Sequence, residues 1–338
     1  MVVRRLPLLS LTILLVGLEH LQAQYFSTSE FVHVGGIEQW ISTRGSDYNN
    51  PVILIVHGGP GFSNAAHTHA FDSWQNEFTI VDWDQRGSGR TFVRNGRENS
   101  GELSVDRIAQ DGIELARYLG NRFEQEKIIV LGLSFGSIIA LKMVSAEPSQ
   151  FSAYVGSGQL VNRADGDALG YQETLREARR TDNREAIDAL EEIGPPPWPD
   201  AATWNAAKGW AGRMTRPEDP ASRIRLNTMM QDLLDEGYSP EELEGIIEGA
   251  RFTVSELAPH TTTFDARQFA SRLEVPVYVF QGENDLNTAT GLAVEWFHSV
   301  NAPKKAMRIV QGGSHGAFYA NAEEFLAFLT EVMGVPIR

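Results

Sequence analysis

Short apolar runs alternate with segments of helical periodicity along the first half of the chain. The runs at 51–56 and 127–131 are continuously apolar or nearly so, which is typical of strands that are buried on both faces. A run at 78–84 has the same character, and apolar residues recur at helical spacing over 103–119. This order of strand and helix predicts a mostly parallel sheet that is covered by helices on both faces.

The pattern changes between residues 159 and 265, where strand signals disappear and helical spacing dominates. The stretch P-P-P-W-P at 195–199 cannot lie inside a helix and marks a stiff joint. We interpret this segment as a helical lid that is inserted over the carboxyl edge of the sheet; the alternative is a separate interaction domain. Strand alternation resumes at 275–282, so the predicted core consists of residues 24–158 and 266–338, with the lid at 159–265.

The N-terminal segment has the three parts of a secretory signal. Arg4 and Arg5 precede a short apolar stretch at 6–18, and small residues follow near Ala23. We predict a signal peptide at 1–23 that is cleaved after Ala23, and hence a secreted or periplasmic protein without a stable membrane partner. The apolar stretch is short for a membrane span, although an uncleaved anchor is the alternative.

The composition limits the classes of partner. The chain has 338 residues, of which 42% are hydrophobic, enough for one large α/β domain with an insertion. Its formal net charge of −15 argues against a nucleic acid or an anionic membrane as a partner. The absence of cysteine excludes disulfides and thiol chemistry. The sequence leaves the oligomeric state open.

The motif G-L-S-F-G at 132–136 lies between a predicted buried strand and a helical run. In that context the serine of G-x-S-x-G occupies a sharp turn, the glycines let strand and helix pack closely, and the hydroxyl stands clear of the sheet. We therefore predict that Ser134 is a nucleophile, placed above the positive N-terminal end of the helix. The alternative is a glycine–serine turn without chemistry.

A serine hydroxyl needs a general base, and the base needs an acid that orients it. His315 follows a late strand in a glycine-rich turn, and Asp285 follows the strand that ends near 282. Both positions are at the carboxyl ends of predicted strands, the edge where open α/β sheets bind ligands. We predict His315 as the base and Asp285 as its partner, with Glu283, two residues away, as a competing acid.

The motif H-G-G-P-G at 57–61 follows another predicted buried strand. Glycines leave backbone N–H groups open to a ligand, whereas Pro60 has no N–H. We predict that the N–H groups of Gly59 and Phe135 bind an oxyanion, and that Gly58 and Pro60 line the substrate pocket. The sequence contains no metal-ligand spacing and no phosphate-binding motif, so neither a metal nor a cofactor is expected.

Three motifs in this order, H-G-G-P-G at 57–61, D-Q-R-G-S-G at 84–89 and G-L-S-F-G at 132–136, resemble those of the proline iminopeptidase family of serine peptidases. The resemblance implies the α/β-hydrolase fold, with a mostly parallel eight-stranded sheet, flanking helices and an inserted helical lid. It also implies that an N-terminal residue, often proline, is removed from peptides without a cofactor. Asp84 and Arg86 are expected to pair with each other and to pin loops beside the site.

The sequence departs from the family pattern at two places. Phe135 stands where the family often has tryptophan after the serine. The family's lid tends to carry a Trp-Glu pair that holds the substrate amine, and the nearest stretch here, 204–212, has Ala211 in place of the acid. Trp204 and Trp210 are predicted pocket residues, with lid core as the alternative. Three other lid acids could bind the amine instead: Glu173, Glu177 and Glu256.

These features together predict a serine hydrolase that releases an N-terminal prolyl or small residue from short peptides through an acyl-enzyme. The enzymatic alternative is an esterase, lactonase or amidase that acts on a small apolar acyl compound. The alternative from another class is a binding protein that kept the fold but lost turnover. An epoxide hydrolase or a dehalogenase is disfavoured, because those enzymes use an aspartate nucleophile on a similar fold.

Overall fold

The computed structural model describes residues 25–214, 231, 233–235, 237–261 and 263–335. The predicted signal segment, residues 1–23, and its cleavage position after Ala23 lie outside these residues. Within them, every helix is too short or too polar to cross a lipid bilayer.

One eight-stranded sheet forms the centre of the structure. The strands are β1 (Phe26–Val34), β2 (Ile37–Gly45), β3 (Val52–Val56), β4 (Thr79–Trp83), β5 (Ile128–Leu133), β6 (Phe151–Ser157), β7 (Val277–Gly282) and β8 (Lys305–Val310). They lie side by side in the order β1-β2-β4-β3-β5-β6-β7-β8. The pairs β1–β2 and β2–β4 are antiparallel, and the pairs from β4 to β8 are parallel. The predicted mostly parallel sheet of eight strands is thereby confirmed.

Helices cover both faces of this sheet. The helices are α1 (Gly89–Asn99), α2 (Val105–Arg122), α3 (Gly136–Ala146), α4 (Arg163–Arg180), α5 (Arg184–Ile193), α6 (Ala201–Met214), α7 (Pro240–Thr261), α8 (Ala266–Phe269), α9 (Thr290–Ser299), α10 (Ala317–Ala320) and α11 (Ala322–Met333). Two 3₁₀ segments, Asn64–Asn76 and Pro148–Gln150, complete the described elements.

The apolar run of β3 is continuous because the strand is buried on both faces. Val52, Leu54 and Val56 belong to one core cluster, together with apolar residues of α2 and α3. Ile53 and Ile55 belong to a second cluster, which contains residues of α11 and the longer 3₁₀ segment. Successive side chains of a strand point to opposite faces, so a central strand between two helical layers has no position left for a polar residue.

The described part of the segment between β6 and β7 consists of helices joined by loops, from α4 to α8, as the sequence pattern predicted. Its two ends meet at an isolated bridge between Asn162 and Asp265. α7 packs against α1 of the core, and α4, α5 and α6 pack against one another. The insert therefore enters and leaves the core at one place, at the carboxyl edge of the sheet.

Arg86 is buried and bonds to three separate parts of the chain. Its Nε donates to Asp111 Oδ2 at 2.8 Å, Nη2 donates to Gly35 O at 2.7 Å, and Nη1 donates to Ser100 O at 2.5 Å. The expected pairing of Asp84 with Arg86 is therefore wrong. The guanidinium extends toward the β1–β2 turn and α2, where it bonds to Asp111, 25 positions further along the chain.

Asp84 faces other partners. Its Oδ1 accepts a hydrogen bond from Ser63 Oγ, and its Oδ2 accepts one from the N–H of Arg90 at 2.7 Å. Ser63 caps the longer 3₁₀ segment, and Arg90 lies in the first turn of α1. Asp84 therefore joins the loop after β3 to the helix after β4, which is a loop-pinning role without the predicted partner.

We expect Arg86→Met to lower the free energy of unfolding by about 3 kcal/mol, because it removes the buried one of the two guanidinium groups that pair with the buried Asp111 and leaves only the more exposed Arg107. Arg117→Met is the matched control, since Arg117 and Glu147 form an ion pair whose side chains are 47% and 42% exposed. Such exposed pairs contribute about 1 kcal/mol at most. Urea unfolding of both variants measures the difference, and equal losses would contradict the structural role of Arg86.

Candidate active site

Ser134 lies in the turn between β5 and α3 with a φ of 53°, in the left-handed region that residues other than glycine rarely adopt. The flanking glycines permit this turn. A Cβ on Gly132 would lie 2.6 Å from Ser137 Cα, and a Cβ on Gly136 would lie 2.0 Å from Val56 O. α3 therefore lies so close to β5 at Gly132 and to the end of β3 at Gly136 that neither position has space for a side chain, which is the mechanical basis of G-x-S-x-G.

His315 lies between Ser134 and Asp285. Its Nε2 is 3.0 Å from Ser134 Oγ, and its Nδ1 is 2.8 Å from Asp285 Oδ2. Because an ionised carboxylate can only accept, Nδ1 carries the proton and Nε2 accepts from the serine hydroxyl. The three residues follow β5, β7 and β8, so the structure brings the predicted residues together at the carboxyl edge of the sheet.

Asp285 is held in place by several donors besides His315. Its oxygens accept hydrogen bonds from Gln281 Nε2, Asn287 N, Thr288 N and Thr288 Oγ1, at 2.6–3.0 Å. Burial alone would raise the pKa of Asp285, but the charge and hydrogen bond of His315, with the bonds from Thr288, outweigh it and lower the pKa. The carboxylate therefore stays ionised and keeps its orientation.

Glu283, the competing acid, lies elsewhere. Its side chain is exposed, and Oε2 accepts a hydrogen bond from Gly312 N at 2.9 Å. Successive residues after β7 point in different directions, and only the turn at 285–288 folds back under the imidazole. The geometry thus selects Asp285 between the two candidates.

The residues predicted to bind an oxyanion, Gly59 and Phe135, line the same cavity as Ser134 and His315. Neither backbone N–H has a hydrogen-bond partner among the described residues. Phe135 immediately precedes α3, so its N–H is one of the unpaired donors at the positive end of that helix. Two N–H groups are thus available beside the serine hydroxyl.

This cavity, which we call the Ser134 cavity, has a volume of about 310 Å³ and lies between the core and the lid. A space of this size suits a small molecule. Of the predicted pocket residues, Pro60 and Trp204 line it. Phe62 from the core and Leu292 from α9 contribute apolar surface.

Two predicted pocket residues do not reach the Ser134 cavity. A Cβ on Gly58 would lie 2.9 Å from both Leu133 O and Ser134 Cβ, so Gly58 packs against the serine turn without lining the cavity. Trp210 packs with the apolar residues of α4 and α5. It lies six positions after Trp204 on α6, about 120° away around the helix. Trp210 is therefore part of the lid core.

The lid acids considered as alternatives are also placed away from the Ser134 cavity. Glu173 and Glu177 line a separate cavity, which also contains Trp210. Glu256 is exposed on α7, and Ala211 is buried inside the lid. None of these four residues lines the Ser134 cavity.

The sequence analysis missed an ion cluster of the lid that does line the cavity, formed by Arg163, Asp167 and Lys208. Arg163 Nε donates to Asp167 Oδ2 at 2.8 Å, and Lys208 Nζ donates to Asp167 Oδ1 at 2.9 Å. Trp204 Nε1 donates to Asp167 Oδ1 at 3.3 Å, and the Arg163 guanidinium lies 4.2 Å from the centre of the Trp204 ring. The available signal was spacing: Arg163 and Asp167 are four apart on α4, and Trp204 and Lys208 are four apart on α6.

His57 is not a second base. Burial lowers its pKa to about 4, although a hydrogen bond to Gly58 O and the charge of Asp82 act in the opposite direction. Nδ1 donates to Gly58 O at 2.9 Å, and Nε2 accepts from Gln85 N at 3.3 Å. The neutral ring thus fixes the loop that carries Gly59 and Pro60.

The fold and this arrangement of side chains define the class: the chain is an α/β-hydrolase with serine, histidine and aspartate at the carboxyl edge of its sheet. Residues 48–181 match the model of the serine aminopeptidase family S33. The chain is 27% identical over 285 residues to a probable aminopeptidase of Bacillus subtilis, YbaC, with coverage of 83% of this chain and 88% of that protein. It resembles the proline iminopeptidase-like hydrolases, as the motifs indicated.

Solved structures show the same fold at low sequence identity. A proline iminopeptidase of Mycobacterium smegmatis is similar with a TM-score of 0.67 and 16% identity, over 91% of this chain and 98% of that one. An epoxide hydrolase of Vigna radiata is similar with a TM-score of 0.57 and 18% identity, over 91% and 98%. Such likenesses show the fold alone, because different reactions are carried out on it.

We expect Asp285→Asn to lower the rate of Ser134 chemistry on the order of 10³- to 10⁴-fold, because an amide cannot hold the same imidazole tautomer. The rate of covalent labelling by a fluorophosphonate and the turnover of a short p-nitrophenyl ester measure the effect. Glu283→Gln is the matched control and is expected to stay near the wild-type rate. Equal losses in the two variants would remove Asp285 from its assigned role.

Burial raises the pKa of Asp84 to about 6, against the hydrogen bonds from Ser63 and Arg90 N–H that lower it. The folded state then binds this proton more tightly than the unfolded chain, so the contribution of Asp84 to stability falls as the pH rises from about 4 to about 6. In Asp84→Asn the amide oxygen can accept from the N–H of Arg90 and the amide N–H can donate to Ser63 Oγ, so the variant keeps a bond to each partner and removes the titration.

The variant should therefore gain stability relative to the wild type as the pH rises through this window, on the order of 2 kcal/mol. Urea unfolding of both proteins at about pH 4.5 and about pH 7 measures the change. Contributions of other groups, such as His57, cancel in the difference. A difference that does not change with pH would contradict the raised pKa.

Proposed function

We propose that this chain is a serine hydrolase that cleaves amide bonds in short peptides and releases their N-terminal residue. The observation that carries this proposal is the continuous hydrogen-bonded series from Ser134 through His315 to Asp285, beside two N–H groups that no described residue bonds. The match to the serine aminopeptidase model and the likeness to a probable aminopeptidase support the choice of peptides.

In the proposed reaction, Ser134 Oγ attacks the scissile carbonyl carbon while His315 Nε2 takes the hydroxyl proton. The carbonyl oxygen becomes an oxyanion that the N–H groups of Gly59 and Phe135 stabilise. When the C–N bond breaks, His315 returns the proton to the leaving nitrogen. A water molecule then attacks the acyl-enzyme with His315 as base, which releases the acid and restores Ser134. Asp285 stabilises the imidazolium in both halves.

A buried acceptor in the wall of the Ser134 cavity supports a preference for amides over esters. Asn287 lines the cavity, and its Oδ1 is buried in the wall without a hydrogen-bond partner among the described residues. A buried oxygen without a donor is unfavourable, and a rotation of this side-chain amide toward the cavity would let a substrate N–H satisfy it. The scissile group of an amide has that N–H, whereas an ester has none. Asn287 is two positions from Asp285, on the His315 side of the site.

A second candidate is an amidase or esterase whose substrate has no free amine. The observation that favours it is the state of Asp167, the one carboxylate that lines the Ser134 cavity among the described residues. Asp167 already accepts hydrogen bonds from Arg163, Lys208 and Trp204. A substrate ammonium would compete with two cations for this carboxylate, which reduces the affinity for a free N-terminus.

The test compares proline p-nitroanilide with N-acetylproline p-nitroanilide and a matched p-nitrophenyl ester. As an aminopeptidase, the protein should hydrolyse the free anilide at least about tenfold faster than the acetylated one, since a lost charged hydrogen bond costs about 1.5–3 kcal/mol. Equal rates on the two anilides would favour the second candidate.

Fluorophosphonate labelling separates turnover from mere binding. The folded wild type should be labelled and Ser134→Ala should not. The absence of labelling in the wild type would overturn the hydrolase proposal itself. Asn287→Ala keeps the backbone N–H that bonds Asp285, and it is expected to reduce the preference for anilide over ester without abolishing labelling.

A further inference from the structure

The lid carries more positive than negative charge into the Ser134 cavity. Arg163 and Lys208 supply two cations, and Asp167 supplies one carboxylate. Their side chains are 13%, 15% and 10% exposed, so solvent screens them only partly. The other acid near the site, Asp285, also attracts Lys208, but its oxygens are occupied by His315 and by the donors of its own turn. Two cations that are largely buried around one shared carboxylate favour an anionic ligand.

Both cations also have a hydrogen-bond donor to spare. Arg163 uses Nε for Asp167 and Nη1 for Thr261, and nothing among the described residues bonds to its Nη2. Lys208 Nζ donates to Asp167 Oδ1 and to Asn287 O, which accounts for two of its three hydrogens within the described part of the chain. A carboxylate has two oxygens, so it could accept one hydrogen bond from Arg163 and one from Lys208.

A purely structural role explains only part of the cluster. The ion pair of Arg163 and Asp167 is neutral by itself, and the Arg163 guanidinium already stacks on Trp204. Lys208 then adds a second cation to the same carboxylate. Burial lowers the pKa of Lys208, although the charges of Asp167 and, more weakly, Asp285 act in the opposite direction. The second cation is explained by a ligand that is negatively charged.

We propose that Arg163 and Lys208 bind a carboxylate of the substrate, and that the substrates are amides whose leaving group is an amino acid with a free carboxylate. This inference rests on the proposed hydrolase function. With a free N-terminus such a substrate is a dipeptide; with a blocked one it is an N-acyl amino acid. The inference therefore holds for the aminopeptidase and for the amidase alike.

The position of Lys208 places the carboxylate on the leaving-group side. Lys208 Nζ donates to Asn287 O at 3.0 Å, in the turn that holds Asp285 under His315. His315 must protonate the leaving nitrogen, so the leaving group lies next to this turn. The nitrogen of the departing amino acid then faces Asn287 and His315, and its carboxylate faces Lys208 and Arg163.

The test uses substrates that differ only in this charge: prolylglycine and prolylglycinamide, and the same pair with an acetylated N-terminus. For the wild type we expect kcat/KM to be at least about tenfold higher for the acid than for the amide in whichever pair is hydrolysed. Lys208→Met should bring the ratio of acid to amide close to one. Lys127→Met, at an exposed position at the opposite end of β5 from Ser134, is the matched control and should keep the wild-type ratio.

A binding measurement separates this inference from the proposed function. N-acetylglycine should slow the fluorophosphonate labelling of wild-type Ser134 at concentrations where N-acetylglycinamide has no effect. If labelling occurs but no peptide is cleaved, the peptidase proposal fails, and protection by the acid alone still supports the carboxylate site. Equal protection by acid and amide, or equal turnover of both, overturns it. These wild-type results decide the matter even if Lys208→Met does not fold.

Discussion

The close approach of β5 and α3 is the constraint on which the rest of the site depends. It forces Ser134 into a left-handed backbone conformation that costs on the order of 1–3 kcal/mol and persists only when the surroundings determine it. The surroundings do so with backbone bonds: Ser134 N donates to Ser157 O at 2.8 Å, and Ser137 N donates to Ser134 O at 2.9 Å. The hydroxyl direction is thus set by the sheet, and His315 and the lid are arranged around it.

Much of this arrangement could be predicted from the sequence because it depends on short patterns with a fixed structural meaning. Continuous apolar runs identified the buried strands, and chemistry-bearing residues directly after them had to meet at one edge. The choice between Asp285 and Glu283 needed the structure, because both follow the same strand. It depends on the turn in which Asn287 and Thr288 donate hydrogen bonds to Asp285. A sequence pattern does not show which of two acids, two positions apart, points toward the histidine.

The contact of Asp167 with α6 and the loop-pinning bonds could not be predicted, because they form only when separate elements of the chain pack together. Arg86 was expected to bond to its near neighbour Asp84, but it bonds to Asp111 on α2. Asp167 meets Lys208 only because α4 packs on α6, and helical spacing does not say which helices are neighbours. Nothing in the sequence favoured Trp204 over Trp210 as a pocket residue. In the structure they lie on different faces of α6, and only Trp204 lines the cavity.

The bond from Lys208 to Asn287 O joins a lid helix to the turn beneath the imidazole. Lys208, which lines the cavity, therefore also connects the lid to the core. A ligand that attracts this ammonium group also affects how α6 is held against the core. By thermodynamic linkage, the position of α6 affects the affinity for the ligand to the same extent. Binding of a negatively charged ligand and the attachment of α6 to the core are therefore thermodynamically coupled.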